Sequence, residues 1–303
     1  MPYLPIKFTT EEVKDLLQKE LPQIKIQSII LLDNGWDNAV FDINGEYIFR
    51  FPKGEEAHFD IELELLNALR GKTTMPIPVI EFISKDGQYM GYKKLQGGDL
   101  TPELYKSMTP EQKNKLAADY AQFVFEIHNA LPVEQAKALG VREHNPLFYL
   151  PIIEPILSSD KIPNADILAF AKDTVKEYTE TVNNNVITSF IYGDLHTENI
   201  AFDPVNKKLN GVFDFGDSCI ADIHFEFAPM YKFSTELLEN TLHKYEVLAN
   251  IKLSLRKIVL RGRMNELGDL AEYIDQPKSE IYQKAMVRME NWIKEKNIYN
   301  DKS

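Results

Sequence analysis

The stretch FIYGDLHTENIAFDPVNKKLNGVFDFGD, residues 190–217, decides the fold of this chain. It contains Asp194 and Asn199, with four residues between them, and Asp214 fifteen positions after Asn199. Phosphoryl transfer from a nucleoside triphosphate needs one carboxylate that orients the attacking hydroxyl and accepts its proton. It also needs hard oxygen ligands that hold magnesium against the phosphates. The spacing predicts that Asp194 is the catalytic base and that Asn199 and Asp214 bind Mg²⁺.

Short apolar runs flank these three residues. The pattern predicts a strand over residues 186–192 that enters a loop, and two further strands over 199–202 and 209–213 that are joined by turn residues. A loop followed by a hairpin brings Asn199 and Asp214 to the same end of the ladder. The three side chains are therefore expected to lie close together.

This pair of motifs resembles the catalytic and magnesium-binding segments of protein kinases. Segments such as YIFRFPKG, GYKKLQGGDL and VFDFGDS are similar to those of the aminoglycoside phosphotransferase and choline kinase-like family, in particular its aminoglycoside 2''-phosphotransferases. The family often has His two residues before the catalytic Asp, where this chain has Tyr192. The resemblance implies an α+β, bilobal, protein-kinase-like fold. Residues 1–97 would form a small antiparallel-sheet N-lobe, and residues 98–303 a mostly helical C-lobe.

Elements of the N-terminal part follow from local patterns. Thr9 and Glu12 form a capping-box pattern, which predicts a helix that runs to about Glu20. A strand is predicted over residues 24–32. Asn44-Gly45 predicts a tight hairpin between two more strands, over 39–43 and 47–51. A second helix is predicted over 55–69, followed by strands over 79–83 and 89–95.

The resemblance implies a phosphate site in the N-lobe. In kinase-like folds the loop after the first strand covers the nucleotide phosphates with backbone N–H groups, and Gly35 and Trp36 lie in that loop here. Without the resemblance, an ordinary hairpin turn explains the same residues. Arg50 stands where the family usually has the phosphate-binding Lys, and Lys53 is the alternative. Both side chains can neutralise phosphate, but a guanidinium does so as a planar fork.

Two further nucleotide contacts follow from the resemblance. Glu62, rather than Glu64, is expected to pair with the phosphate-binding cation from the second helix, although a solvated helix carboxylate remains the alternative. The segment from residue 91 to residue 98 resembles the hinge between lobes, where the backbone of Lys93 and Leu95 would hold a purine. Backbone contacts leave little trace in a sequence, so the donor is expected to be ATP or GTP.

Candidate acceptor-binding residues lie in the C-terminal part. Asp222 follows the magnesium segment, and His196 lies inside the catalytic loop. Glu236 and Glu239 are three positions apart on one predicted helix and would share a face. In the aminoglycoside kinases, carboxylates on such helices meet the ammonium groups of the substrate. The alternative, a solvated acidic face, is the simpler explanation of the pair, and the Pro-rich residues 131–163 predict no clear element.

The composition indicates a globular protein and limits its partners. The 303 residues include 34 Lys and Arg against 46 Asp and Glu, which gives a net charge of −12. This charge disfavours nucleic acid and suits a cationic substrate, although it also serves solubility. Cys219 is the only cysteine, so no intrachain disulfide can form. With neither a signal-peptide pattern nor a run of about eighteen apolar residues, the expected location is the cytoplasm, away from membranes.

The expected function is transfer of the γ-phosphoryl group to a hydroxyl of an aminoglycoside antibiotic, which would confer resistance. One alternative is a kinase for a metabolite such as choline, a sugar amine or another amino alcohol. Another is a nucleotide-binding pseudokinase scaffold, although the complete set of three motif residues argues against it. A protein kinase is disfavoured because no Ala-Pro-Glu segment follows Asp214. The sequence does not determine the attacked hydroxyl or the oligomeric state.

Overall fold

The structure is a computed structural model that describes residues 8–32, 38–53, 59–162 and 164–299. Its N-terminal part is built around an antiparallel sheet in the order β1-β2-β3-β5-β4, and β2, β3 and β5 are its middle strands. The elements of this part are α1 (Thr10–Glu20), β1 (Ile29–Leu32), β2 (Asn38–Ile43), β3 (Tyr47–Pro52), α2 (Phe59–Leu69), β4 (Ile80–Ile83) and β5 (Met90–Lys93).

The predicted first strand is wrong over its first half. The prediction began at residue 24, but β1 begins at Ile29. Oδ1 of Asn44 accepts the backbone N–H groups of Gln27 and Ser28, at 2.7 and 3.0 Å. A side chain from the β2–β3 turn thus takes the hydrogen bonds that a neighbouring strand would otherwise supply. The capping box at the start of α1 and the hairpin turn itself are confirmed.

The C-terminal part is mostly helical. It contains α3 (Pro102–Lys106), α4 (Pro110–Ala130), α5 (Val133–Ala138), α6 (Leu150–Leu157), α7 (Ala165–Thr181), β6 (Thr188–Ile191), β7 (Ile200–Asp203), β8 (Lys208–Val212), β9 (Cys219–Asp222), a 3₁₀-helix (Ile223–Phe227), α8 (Ala228–Phe233), α9 (Thr235–Ala249), α10 (Leu255–Glu272) and α11 (Glu280–Tyr299). Within the described ranges, no helix combines the length and the apolar character needed to cross a membrane.

Two small antiparallel pairs carry the motif residues. β6 pairs with β9, and β7 pairs with β8 as the predicted hairpin. The backbone N–H of Phe213 donates to the carbonyl of Asn199 at 3.0 Å, just beyond the end of the hairpin. This bond brings the residue before Asp214 beside Asn199, so the expectation that both motif residues lie at the same end of the ladder is confirmed.

The chain passes from the sheet to the helices through residues 94–98. Gly98 exchanges two backbone hydrogen bonds with Phe202 of β7, at 2.9 and 2.8 Å. Gly97 has a φ of +154°, and a Cβ there would lie 2.7 Å from the backbone nitrogen of Phe202. A side chain would therefore collide with β7 at this position. The crossing segment is tied directly to the β7–β8 hairpin.

Buried apolar side chains form two clusters. The smaller one lies between α1 and the sheet. The larger one fills the helical part and also takes in Leu65, Leu66 and Leu69 from α2. The buried leucine side chains of α2 therefore pack mainly with the helical part of the molecule. This packing fixes the face of α2 that carries Glu62 next to the catalytic segment. The members of the smaller cluster are Val13, Leu17, Ile24, Ala39, Phe41, Ile43, Phe49, Phe51 and Tyr89.

Candidate active site

The catalytic loop starts with an aromatic side chain that joins the two motif segments. Tyr192 is completely buried, and its hydroxyl donates a hydrogen bond to the backbone carbonyl of Phe213 at 2.5 Å. Burial raises the pKa of this phenol well above its ordinary value, so the hydroxyl keeps the proton that it donates. Its ring packs edge-on against Phe123 and Phe215. Tyr192, which differs from the family's usual His, thus anchors the residue before Asp214.

A buried carboxylate holds the backbone of the same loop. Glu226 is fully buried, and its two oxygens accept the N–H groups of Tyr192 at 2.8 Å and Gly193 at 3.2 Å. Nε2 of His128 lies 3.3 Å from the same carboxylate, and Nδ1 of His128 lies 2.7 Å from the hydroxyl of Tyr245. Glu226 therefore links the loop to α4 and α9. No local sequence pattern connects Glu226 to the loop, so its role could not be predicted from the sequence.

Gly193 allows the sharp turn at the start of the loop. Its φ is +87°, and a Cβ at this position would lie 2.7 Å from the backbone carbonyl oxygen of Asp217. Any L side chain would therefore be strained in its own backbone and would also push the segment after Asp214 away. The turn carries the chain from the end of β6 into the loop that contains Asp194.

Asp194 and Asn199 are in direct contact. The side-chain nitrogen of Asn199 donates to Oδ2 of Asp194 at 2.7 Å, which leaves the amide oxygen of Asn199 for another partner. Nδ1 of His196 accepts the backbone N–H of Glu198, so in the neutral imidazole the proton is on Nε2. That Nε2 lies 3.3 Å from Oδ2 of Asp194. The carboxylate of Asp194 is thus oriented by two side-chain donors.

These contacts also set the charge of the catalytic carboxylate. Burial acts to raise the pKa of Asp194, but His196 and then Asn199 outweigh it, so the pKa stays below its ordinary value. The pKa of His196 is raised, because the hydrogen bond and charge of Asp194 exceed the opposing effect of burial. Asp194 is therefore ionised at neutral pH, which is the state that accepts a proton.

Asp214 adopts a conformation that is rare for residues other than glycine. Its φ is +63°, in the left-handed region. Such strain is found most often at functional sites. The side chain is half exposed, and Oδ1 lies 3.5 Å from Nη2 of Arg50. Its carboxylate and the amide oxygen of Asn199 are hard donors of the kind that magnesium prefers.

The donor set fits Mg²⁺ better than a metal bound by protein alone. Within the part of the chain that the structure describes, no group of three or more His, Cys, Asp or Glu side chains is arranged to hold a metal ion. Magnesium at nucleotide sites needs no such group, since it is held by one or two carboxylates together with phosphate oxygens and water. Asn199 and Asp214 are the residues that would hold it.

The Arg50–Glu62 pair joins the sheet to α2. Nη1 of Arg50 donates to Oε1 of Glu62 at 2.5 Å, and both side chains are less than a tenth exposed. Burial acts to lower the pKa of Arg50, but the charges of Glu62 and then Asp214 raise it overall, so the guanidinium stays charged. Glu64 is exposed, and the alternative cation Lys53 is buried just after β3. The contacts thus favour Glu62 over Glu64 as the partner of Arg50.

The structure gives less information on the other four predicted nucleotide-binding residues. Gly35 and Trp36 lie outside the described residues. Lys93 ends β5, where it pairs with Tyr47, and its side chain is exposed. Leu95 is half-buried in the crossing segment, and its Cδ1 would lie 2.7 Å from a Cβ added at Gly211 of β8. The roles of Lys93 and Leu95 stay predictions.

Two of the three predicted acceptor carboxylates, Asp222 and Glu236, have partners within the protein. Asp222 is buried, and its oxygens are bonded to Nδ1 of His224 and to the ammonium of Lys257, so its position is a structural one. Glu236 and Glu239 do lie on one helix, α9, as predicted. Glu236 accepts a hydrogen bond from Lys113 of α4 at 2.8 Å.

Two further charged residues, Asp217 and Lys232, form ion pairs in the C-terminal part of the chain. Asp217, which follows the magnesium segment, pairs with Arg142 at 2.5 Å. Lys232 of α8 is close enough that its positive charge lowers the pKa of Asp194. It belongs to a group that we name the Lys232 cluster. The members of the Lys232 cluster are Lys232, Glu266, Asp269 and Arg288.

Several solved structures share the fold. The GDP complex of wild-type aminoglycoside 2'-phosphotransferase-IIIa is 22% identical, with a TM-score of 0.81, over 95% of this chain and 100% of that chain. The streptomycin–ATP ternary complex of APH(2")-IIa is 23% identical, with a TM-score of 0.66, over 94% and 97% of the two chains. Macrolide 2'-phosphotransferase type I is 17% identical, with a TM-score of 0.66, over 94% and 99%. The predicted kinase-like α+β fold is confirmed.

The sequence itself identifies the family. The sequence model described as the phosphotransferase enzyme family matches residues 28–255, about three quarters of the chain. The matched region contains the Arg50–Glu62 pair and all three motif residues. The prediction of a phosphotransferase is therefore confirmed, and the fold and family together support a small-molecule kinase. The chain belongs to the phosphotransferase enzyme family.

Proposed function

We propose that this protein transfers the γ-phosphoryl group of ATP or GTP to a hydroxyl of a cationic small molecule, and that an aminoglycoside antibiotic is the acceptor. The observation that carries the proposal is the Asp194–Asn199 contact of 2.7 Å next to an Asp214 that faces the buried Arg50–Glu62 pair. A carboxylate base, a hard-donor pair and a fixed cation are the parts that this reaction needs.

Asp194 is the proton acceptor in the proposed reaction. The acceptor oxygen forms a bond to the γ-phosphorus, the bond from that phosphorus to the bridging oxygen breaks, and the nucleoside diphosphate leaves. The hydroxyl proton passes to Asp194, whose lowered pKa keeps it ionised beforehand. Asn199 and His196 hold the carboxylate in place, so it needs little reorganisation. Most of the rate enhancement in such reactions comes from positioning and electrostatics.

The nucleotide occupies the cleft between the sheet and the helical part in this proposal. Asn199 and Asp214 hold Mg²⁺, which supplies positive charge against the phosphates. Arg50 neutralises the α and β phosphates, and Glu62 fixes its direction. The loop with Gly35 and Trp36 covers the phosphates, and the backbone of Lys93 and Leu95 holds the purine. The division into an N-lobe of residues 1–97 and a C-lobe of residues 98–303 follows from that placement.

The acceptor would lie on the opposite side of Asp194. The carboxylates of Asp217, Glu236 and Glu239 are candidates for its ammonium groups, with His196 beside the reacting hydroxyl. The exposed side chain of Asp217 and the net charge of −12 support a cationic acceptor. Resistance in the cytoplasm is the role that goes with an aminoglycoside. A choline-like or sugar-amine acceptor is the metabolic alternative, and it uses the same chemistry.

The test is steady-state nucleotide turnover with Mg²⁺ and either ATP or GTP, against kanamycin, gentamicin, choline and glucosamine. The proposal predicts stimulation by an aminoglycoside and an acceptor product heavier by one phosphoryl group. Stimulation by choline or glucosamine alone would keep the reaction and replace the acceptor. Nucleotide binding without stimulation by any acceptor would contradict the proposal and favour the scaffold alternative. Susceptibility of cells that express the protein then separates resistance from metabolism.

A further inference from the structure

Tyr192 is held firmly at the start of the catalytic loop. It follows β6 directly, its side chain is completely buried, and its backbone N–H donates to the carboxylate of Glu226 at 2.8 Å. Its ring packs edge-on against that of Phe123 from α4, with the ring centroids 5.8 Å apart. A side chain that is fixed both at its backbone and at its ring has few alternative positions in a close-packed interior. Its hydroxyl is therefore a hydrogen-bond donor at a fixed place.

This one side chain contacts both neighbours of Asp214. The hydroxyl of Tyr192 donates to the backbone carbonyl of Phe213 at 2.5 Å. The ring of Phe215 lies on the other side, with its centroid 4.9 Å from that of Tyr192. The backbone N–H of Phe213 donates to the carbonyl of Asn199 at 3.0 Å. The residue before Asp214 is thus bonded at both of its backbone groups.

The hydrogen bond to Phe213 fixes the peptide group that precedes Asp214. A peptide group is planar, so its rotation changes ψ of Phe213 and φ of Asp214 together. The φ of Asp214 is +63°, in the left-handed region that L residues occupy only at a cost. Rotation toward a negative φ would take the carbonyl of Phe213 away from the hydroxyl of Tyr192. The hydrogen bond therefore opposes relaxation of the strained residue.

The side chain of Asp214 does little to fix its own position. It is 49% exposed, and its Oδ1 lies 3.5 Å from Nη2 of Arg50, at the limit of a hydrogen bond. A contact at this distance holds a carboxylate weakly, so the backbone conformation decides where the carboxylate stands. Magnesium requires near-ideal octahedral geometry and tolerates little displacement of a ligand. The orientation of one peptide group thus bears directly on metal affinity.

We propose that Tyr192 is a positioning residue for magnesium, whose hydroxyl holds the peptide group before Asp214 so that the carboxylate of Asp214 stays placed for the metal. The inference rests on the proposed function, in which Asn199 and Asp214 hold Mg²⁺, and it adds the residue that sets the affinity of this site. Tyr192 acts through Asp214 and takes no part in bond formation. Loss of its hydroxyl should therefore weaken nucleotide binding only when Mg²⁺ is present.

The experiment measures binding of AMPPNP and GMPPNP, the imido analogues of ATP and GTP, to the full chain by calorimetry. Tyr192→Phe removes the hydroxyl and keeps the ring. Tyr178→Phe is the matched control, because Tyr178 of α7 is also buried and its hydroxyl donates to the backbone carbonyl of Pro146 at 2.7 Å. With Mg²⁺, the Kd should rise about fivefold in Tyr192→Phe and stay within about twofold in Tyr178→Phe. In EDTA, both variants should stay within about twofold of the wild type.

Two further measurements separate metal affinity from general stability. The Mg²⁺ concentration that gives half-maximal turnover should rise about fivefold in Tyr192→Phe and stay unchanged in Tyr178→Phe. Urea unfolding should show a similar loss of stability in both variants, because each loses one hydrogen bond from a buried tyrosine to a carbonyl. Tyr192→Met, which also lacks the donor, replaces Tyr192→Phe with the same expected result if the phenylalanine variant does not fold.

The outcomes distinguish this inference from the proposed function. If the wild type binds an analogue more tightly with Mg²⁺ than in EDTA, two results overturn the role of Tyr192 alone. One is a Tyr192→Phe variant that keeps the wild-type Kd with Mg²⁺ or loses affinity equally in EDTA, and the other is an equal loss in Tyr178→Phe. A wild type that binds both analogues no more tightly with Mg²⁺ than in EDTA contradicts the proposed function, and the inference with it.

Discussion

The two sides of Asp194 use charge differently. Toward the sheet, Arg50 and Glu62 form one ion pair whose side chains are less than a tenth exposed. Toward the C-terminal helices, Asp217 and Asp269 keep 62% and 37% of their side chains exposed, and each meets a cation of the chain itself. A buried pair fixes one geometry, while exposed pairs can exchange partners at low cost. Under the proposed function, the buried pair suits a nucleotide that is always the same, and the exposed pairs suit a site that chooses among acceptors.

The largest effect expected on the sheet side follows loss of a metal donor. Asp214→Asn should lower turnover by at least about a thousandfold, because it removes charge from the position where Mg²⁺ and the phosphates meet. Nucleotide affinity should fall more than about tenfold with Mg²⁺ present and change little in EDTA. Calorimetry with and without EDTA measures both. If Asp214→Asn changes the nucleotide affinity equally little with Mg²⁺ and in EDTA, the metal is bound elsewhere.

Breaking the buried Arg50–Glu62 pair should lower the free energy of unfolding more than breaking an exposed pair. Arg50→Met leaves Glu62 buried without its partner, and we expect the free energy of unfolding to fall by about 3–5 kcal/mol. Lys161→Met removes the exposed ion pair of Lys161 with Asp275 and should cost less than about 1 kcal/mol. Urea unfolding followed by circular dichroism provides the values. The double variant Arg50→Met with Glu62→Leu should regain most of the loss, and failure to regain it would mean that Arg50 stabilises the fold through other contacts.

Loss of the Glu226 carboxylate, which anchors the catalytic loop, should lower kcat more than it lowers nucleotide affinity. Glu226→Gln turns an acceptor of two backbone N–H groups into a side chain with one donor end, so we expect a loss of about 2–3 kcal/mol in stability. The kcat should fall about tenfold or more, while the nucleotide Kd stays within about threefold. Glu246→Gln is the control, since Glu246 also accepts a backbone N–H, from Leu253, but away from the loop. An equal loss of kcat in both variants would contradict the assignment of Glu226 as the anchor of the catalytic loop.

The smallest expected effect concerns pH. His196 helps to hold the pKa of Asp194 below its ordinary value, so His196→Ala should raise that pKa. A base must be ionised to act, and the acidic limb of the pH profile of kcat/KM should therefore move to higher pH, by less than about one unit. His243→Ala, at an exposed histidine of α9, should leave the limb in place. A shift to lower pH would contradict the assigned contact.

The sequence predicted the parts of the site that are local. Asp194, Asn199 and Asp214 lie within one loop and hairpin, so short patterns determine how they meet. Arg50 and Glu62 come from one strand and the following helix, and their contact was expected from the resemblance. The kinase-like fold followed from the order of these motifs, and the structural comparisons confirm it.

What the sequence could not predict depends on contacts between distant residues. Glu226 is 34 positions from Tyr192, and Lys232 is 37 positions from Asp269. Charge pairs of this kind leave no periodic signal, because each residue is an ordinary member of its own helix. The predicted start of β1 was wrong for a similar reason. A side chain from the next turn accepts the backbone hydrogen bond that a neighbouring strand would otherwise accept. The Pro-rich residues 131–163 include α5 and α6, which no local pattern predicted.

The most direct test of the account is Asp194→Ala, with turnover and nucleotide affinity measured on the same preparation. Asp194 is the point where the two sides meet, and only its oxygens are assigned to the acceptor proton. The account predicts that turnover falls about a thousandfold to ten-thousandfold, while the nucleotide Kd with Mg²⁺ stays within about threefold. Parallel loss of turnover and nucleotide affinity would contradict it, because Asp194 would then belong to the nucleotide site and the catalytic base would be another residue.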